Sequence, residues 1–529
     1  MIEGRLLKST VSRVVDARRS VSTCLVIILL LGPGVATAED YEVWLSDQAN
    51  TQGISSESLT GTHGGKIRIY ESTDLDQDPP VNNPVVLDAT ADLFPNADAT
   101  TGAHVSRIHG ILPSPDHVYM ALNFVGSGHL GLVDGRTKRP VCLFRTTGTT
   151  TGRQNHMSFW TPDGQHIIVA NQNGRMLERV DVVRNQDGMP EQFVFNGTAS
   201  LDLVGGPNRI QAQPIAVDME PSDSIACSVS GAVAEAQPTT TPTGAPKQAV
   251  GLRALNAPIC PIPASNSRHA FTTLGGGGMF VINVTATPMA IVGEYDLSVV
   301  RAAGCGGAEA DGFMHLNTGT SGPNISEFSI YRFGLDYPIA PAFNAPNMPV
   351  PLAVWQDPDN GKVAGQNGLP VGTNRDAHGV VIVQNTQSGT AKYLHQMDRI
   401  RNNVEVFKLS PPWNNLSNRH EGTYSLTASG ACGGTMGTTK TNDPTPDLAD
   451  LSPGEGSKGD RMYVALRGPF PLTVSHAADG SCPGLGIIDL SPNRRSGNLT
   501  AVMETSVLNG DGSRNLSDPH AAIVRKKRQ

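Results

Sequence analysis

The chain has 529 residues, with 40 Lys and Arg against 48 Asp and Glu, for a formal net charge of −8 at pH 7. A surface of that sign repels phosphate backbones, so nucleic acid is not expected as a partner. The one basic cluster, Arg525 to Arg528, reads as a solubilising end.

Residues 1–38 read as a secretory signal: Arg13, Arg18 and Arg19 precede the apolar run Cys24 to Leu31, and Ala36-Thr37-Ala38 offers small residues for cleavage. The run is too short to span a bilayer, and no other stretch approaches about 18 uninterrupted apolar residues. Residues 39–529 are therefore expected as a single exported domain, periplasmic or extracellular, with no membrane association. Removing 1–38 takes five of the 40 basic and two of the 48 acidic residues, for a mature charge of about −11. Six cysteines remain: Cys142, Cys227, Cys260, Cys305, Cys432 and Cys482. An even number suits disulfides in an oxidising compartment, with Cys432 and Cys482 the preferred pair; buried free thiols are the alternative.

Strand signals then follow in chain order. Tyr41 to Ser46 and Lys66 to Tyr70 look like the second and third strands of a unit whose first strand is missing. The clearest complete unit runs from His109 through the Ser114-Pro115-Asp116 turn, then His117 to Asn123, the Gly126-Ser127-Gly128 turn and His129 to Asp134. The same grammar returns at His156 to Trp160, His166 to Asn171 and Arg175 to Asp181. It recurs in outline at Pro258 to Ile262, His269 to Leu274, Gly275 to Gly278 and Met279 to Asn283. Weaker copies lie at Gly312 to Asn317 with Glu327 to Phe333, and at His378 to Val383 with Lys392 to Asp398 and Val404 to Leu409. A sixth joins Asp447 to Leu451, Met462 to Arg467 and Leu485 to Leu490. Aliphatic and β-branched residues fill the short runs, and Gly, Pro, Asn and Asp punctuate them where turns require it. His520 to Val524 looks like a first strand without successors.

Six internal units and two orphan ends predict an all-β fold: a seven-bladed β-propeller whose last blade is closed by the N- and C-terminal strands, which removes sheet edges at the chain ends. Segments near 235–248 and 344–375, rich in Pro with Thr or Gly, read as loop insertions.

The strand, Ser-Pro-Asp turn, strand, Gly turn, strand-Asp unit over Ile108 to Asp134 and Asn155 to Asp181 resembles the YVTN-type repeats of secreted bacterial seven-bladed propellers, the YncE-like proteins among them. That resemblance implies the propeller fold and export. It implies no single activity, because propellers carry unrelated functions on one frame.

Four units open on histidine: His109, His156, His378 and His520, each after a short polar or charged segment. In a propeller these positions converge on the central channel, and Cys260 falls near the corresponding place in the third unit. Imidazole and thiolate are ligands for copper, zinc or iron, so the four histidines are candidate metal ligands; hydrogen bonding to neighbouring blades or channel water is the other reading. His420 has a similar look but no assigned place. Gly275 to Gly278 reads as a hairpin turn more than an anion cradle, and Asp134, Asp181 and Asp489 as turn caps more than calcium ligands.

Two functions follow. The first is a binding module holding a protein, glycan or small molecule on its loops. The alternative is a metal-dependent oxidoreductase of copper type, comparable through its fold alone with copper-dependent propellers such as methanethiol oxidases.

Overall fold

The computed structural model describes residues 40–48, 64–220, 225–235, 256–296, 299–301, 304–318, 328–339, 349, 351–357, 374–387, 390–409, 419–433, 441–454, 459–469, 480–506 and 517–527. Residues 1–38, expected as a secretory signal, lie outside them, as do most of 235–248 and of 344–375.

Among the described residues the chain is all-β, with only short helical turns between strands. Its strands form four-stranded antiparallel runs, each opened by one first strand, and two of them are extended at the outer edge by Ile215–Asp218 and by the parallel strand Ala226–Ser230. These first strands are β1 (Ile108–Pro113), β2 (Asn155–Trp160), β3 (Pro258–Pro263), β4 (Gly307–Ala310), β5 (Ala377–Gln384), β6 (Pro446–Leu451) and β7 (Pro519–Lys526). The run that starts at β7 continues into the N-terminus. Tyr41–Asp47 lies antiparallel between Pro519–Lys526 and Lys66–Glu71, with Val43 opposite Val524 and Trp44 opposite Ile523.

Strand sequences such as His166–Asn171 explain the stacking of these sheets. Successive side chains point to opposite faces, so Ile167 and Val169 face the first sheet while Ile168 and Ala170 face the third. Both faces of each sheet are thus covered, which is why the middle strands read as near-continuous apolar runs. The same pairing repeats along the chain, and Trp44, Ile67 and Ile69 finally pack against Ile108, Met120 and Leu122. Each fully buried large apolar side chain contributes about 1.5–3 kcal/mol of transfer free energy to these contacts.

Three features depart from the sequence reading. The fourth unit begins earlier than expected, at Gly307–Ala310, and its fourth strand, Leu352–Gln356, lies inside the segment read as an insertion. Glycine and alanine in the first of these and a short run amid prolines in the second concealed both. The basic tail is also no free end: Arg525 is buried and donates to Glu42 at 3.0 Å, and Lys527 pairs with Glu71. Three disulfides, Cys142–Cys227, Cys260–Cys305 and Cys432–Cys482, use the six cysteines of residues 39–529 and include the preferred pair. Among the described residues no helix is long and apolar enough to cross a membrane.

Candidate metal centre

The first strands share a local irregularity. In β1, β2, β3, β5 and β6, two residues oppose one on the neighbouring strand directly after the first paired position. That two-against-one count is a β-bulge, which bends the strand and re-aims a side chain. The bulged residues are His109 with Gly110, His156 with Met157, Ile259 with Cys260, His378 with Gly379, and Asp447 with Leu448. In β7 the pairing skips His520 in the same way. Glycine after His378 has a steric cause, because a Cβ on Gly379 would lie 2.5 Å from the Asp447 carbonyl oxygen.

The four expected histidines are brought together. The rings of His109 and His520 stack with centroids 3.4 Å apart, His156 lies 4.6 Å from His109, and His378 lies 5.2 Å from His520. Asp447, at the equivalent bulge of β6, completes the group. His378 Nε2 is 3.6 Å from Asp447 Oδ1, and His520 Nε2 is 4.0 Å from Oδ2. One ligand atom from each of His378, Asp447 and His520 lies within 4.8 Å of the other two.

The groups around this triad fix its orientation and charge. His520 Nδ1 donates to the His109 carbonyl at 3.0 Å, which leaves Nε2 with its lone pair toward Asp447. Asp447 Oδ2 accepts from Arg399 Nη1 at 3.0 Å and from Arg467 Nη1 at 2.7 Å. Beyond them, Arg399 pairs with Asp376 at 2.6 Å and Arg467 with Asp518 at 2.6 Å, all five groups being buried. Burial alone would raise the Asp447 pKa, but the guanidinium groups with the imidazoles beside it hold it far below the ordinary carboxylate value. Burial lowers the histidines, His378 to about 4 and His156 to about 3. The imidazoles are neutral at pH 7, the state in which they ligate.

The residues fit a metal ion. His109 Nε2, His378 Nε2, His520 Nε2 and Asp447 Oδ1 are buried and have no hydrogen-bond partner, although an unpaired buried polar atom costs about 1–3 kcal/mol. Two imidazoles and a carboxylate oxygen form a set suited to a divalent transition ion with open positions.

Asp447, Arg399 and Arg467 escaped the sequence reading. The available signal was register: Asp447 follows Pro446 at the head of its strand as His520 follows Pro519. The other singled-out residues behave as structural parts. His420 lies in the outer strand His420–Ser425 and meets Glu405 at 2.8 Å. Asp134 caps its turn by accepting from the Arg136 and Thr137 amides, Asp181 pairs with Arg179 and His166, and Asp489 pairs with Arg461. Gly276, Gly277 and Gly278 all take positive φ in a hairpin turn, where glycine is required.

No protein-family model and no curated protein matches the chain. Similar solved structures include a hypothetical selenium-binding protein from Sulfolobus tokodaii, 10% identical over 93% of this chain and 94% of that one, with a TM-score of 0.43. The periplasmic gluconolactonase of Pseudomonas aeruginosa is 13% identical over 92% and 99%, with a TM-score of 0.41. The Swd1 β-propeller domain from Myceliophteria thermophila is 10% identical over 78% and 95%, with a TM-score of 0.36. Similarity at this level says nothing about activity or ligand.

Proposed function

We propose that the chain is an exported seven-bladed β-propeller, closed by its terminal strands, that works as a metal-dependent enzyme of oxidoreductase type at the starts of its first strands. Support for the ring comes from the order of contacts: each first strand lies beside the next, and β7 touches both β6 and β1. Pairing of Tyr41–Asp47 with Pro519–Lys526 supports the closure. Three disulfides support an oxidising compartment, and the resemblance to secreted YVTN-type propellers points the same way.

The observation that carries the metal reading is the convergence of His378, His520 and Asp447 with their facing atoms unpaired. His378 Nε2, His520 Nε2 and Asp447 Oδ1 would hold the ion. A bound iron or copper ion would supply a Lewis acid and a one-electron couple. The chain's own contribution is orientation and charge. The His109 carbonyl fixes the His520 tautomer, while Arg399 and Arg467 keep Asp447 ionised and occupy its Oδ2, leaving Oδ1 as the free donor. Protein isolated from an exported compartment should carry about one equivalent of copper, iron or zinc, and His378→Gln should remove it. Metal-free protein that takes up none of the three would overturn the reading.

A second reading, small-molecule binding, is favoured by a cavity of about 340 Å³ further along the first strands. Val380, Ile382, Ala449 and Val524 give it apolar walls, and Asp450, Ser452 and Lys526 supply polar and charged groups. Retention of a small ligand by metal-free protein, lost on Val380→Trp, would favour this role.

A further inference from the structure

A second set of ligand atoms lies near the first and is independent of it. His156, Cys260 and Cys305 each place one donor atom within 4.8 Å of the other two. Cys260 sits in the bulge of β3, and Cys305 lies just before β4; their disulfide ties the two strands together, with a Cα–Cα distance of 5.3 Å. His156 Nδ1 is buried without a hydrogen-bond partner. One ring nitrogen of His156 therefore lies beside two sulfur atoms. The other two disulfides form no such group with a third donor among the described residues.

We propose that the Cys260–Cys305 disulfide is the oxidised form of a soft-metal site completed by His156, so that the protein takes up a Cu(I) or Zn(II) ion only after this bond is reduced. In the balanced step, a dithiol reductant delivers two electrons and two protons to the disulfide and leaves as its own disulfide. Binding then converts both thiols to thiolates and releases two protons. Two thiolates and one imidazole are a donor set for these ions. Metal–sulfur bonds of about 2.3 Å at a tetrahedral angle separate the sulfurs by roughly 3.7 Å against about 2 Å in a disulfide. Side-chain rotation at the two cysteines spans that difference while β3 and β4 stay joined through the ion.

The test uses the full exported chain, oxidised or treated with a dithiol, titrated with Zn(II) against a chromophoric chelator and with Co(II) as a spectroscopic probe. The reduced protein should bind one equivalent more than the oxidised protein, with thiolate-to-cobalt charge-transfer bands. His156→Gln should weaken that added equivalent at least tenfold while still forming the disulfide. His378→Gln should leave it unchanged, so the result stands apart from the fate of the His378, Asp447 and His520 site. Equal uptake by reduced and oxidised protein, or no thiolate bands in the reduced wild-type protein, would overturn the proposal. So would an added equivalent that His156→Gln does not weaken.

Discussion

Arg467 and Asp518 form a bidentate pair in the interior, Nε to Oδ1 at 2.6 Å and Nη2 to Oδ2 at 2.7 Å, both side chains being fully buried. The same guanidinium donates to Asp447, so one side chain ties β6 to the segment that enters β7. Two carboxyl groups are thereby oriented by a single cation with a planar fork of donors.

Arg467→Met should therefore cost about 3–5 kcal/mol, because it leaves two buried carboxyl groups short of their cation. Arg467→Lys should recover little, since an ammonium cannot make the paired contacts. Denaturant unfolding of the three proteins checks both statements. A loss below about 1 kcal/mol for Arg467→Met would show that the network is not carrying the junction.

Removal of residues 518–529 should abolish cooperative folding of the remainder. It strips Tyr41–Asp47 of its hydrogen-bonded neighbour and uncovers Val43, Leu45, Tyr463 and Ile487, which pack with Ala522 and Val524. Thermal unfolding followed by circular dichroism is the measurement. A truncated protein with the wild-type midpoint would refute the role assigned to the terminal strand.

Much of this was legible in advance, for reasons that differ by residue. Turn chemistry and alternation located the strands around His109, His156 and His520, because Pro, Asp and Gly at fixed places leave the backbone few alternatives. The two incomplete end units point to the pairing of Tyr41–Asp47 with Pro519–Lys526. Gly307–Ala310 was missed since small residues carry no strand signal, and Leu352–Gln356 since surrounding prolines and glycines mask it. Histidine is conspicuous at the head of a strand, whereas Asp447 there looks like a turn residue. Arg467 follows the strand paired with that of Asp447 and Arg399 follows one in the preceding sheet, but nothing in the residue pattern marks either as the partner of that carboxyl group.

Asp447→Asn should lower metal content more than it lowers stability. The amide keeps an oxygen but loses the charge that faces His378 and His520, and affinity should fall by at least tenfold for the bound ion. Metal analysis after dialysis against a weak chelator, paired with a melting curve, separates the two effects. Unchanged metal content in the folded variant would remove Asp447 from the ligand set.

Cys432→Ser with Cys482→Ser should cost about 2–5 kcal/mol, as the bridge closes a loop with a sequence separation of 50 between two of the sheets. Midpoints under non-reducing conditions measure this. The double variant matching wild type would mean that packing of Leu426, Leu499 and their neighbours already holds that edge.

Asp450 provides a pH dependence with a definite sign. Its carboxylate accepts from the Leu451 amide at 2.8 Å and the Val524 amide at 3.0 Å, yet burial dominates and raises its pKa to about 6. An unfolded aspartate titrates near 3.9, so between about pH 4 and 6 the folded state binds more protons than the unfolded one, and stability falls as pH rises through that window. Above it the penalty is constant, at about 1–2 kcal/mol once the partial exposure of the side chain is discounted from the full shift. Asp450→Asn removes the titration but gives up one hydrogen-bond acceptor, which costs about 1 kcal/mol at every pH. The variant should therefore be less stable than wild type at pH 4.5 and draw level with it or pass it at pH 7.5. Urea unfolding at the two pH values measures the difference, and a stability gap independent of pH would mean that the Asp450 carboxyl is not held protonated by its surroundings.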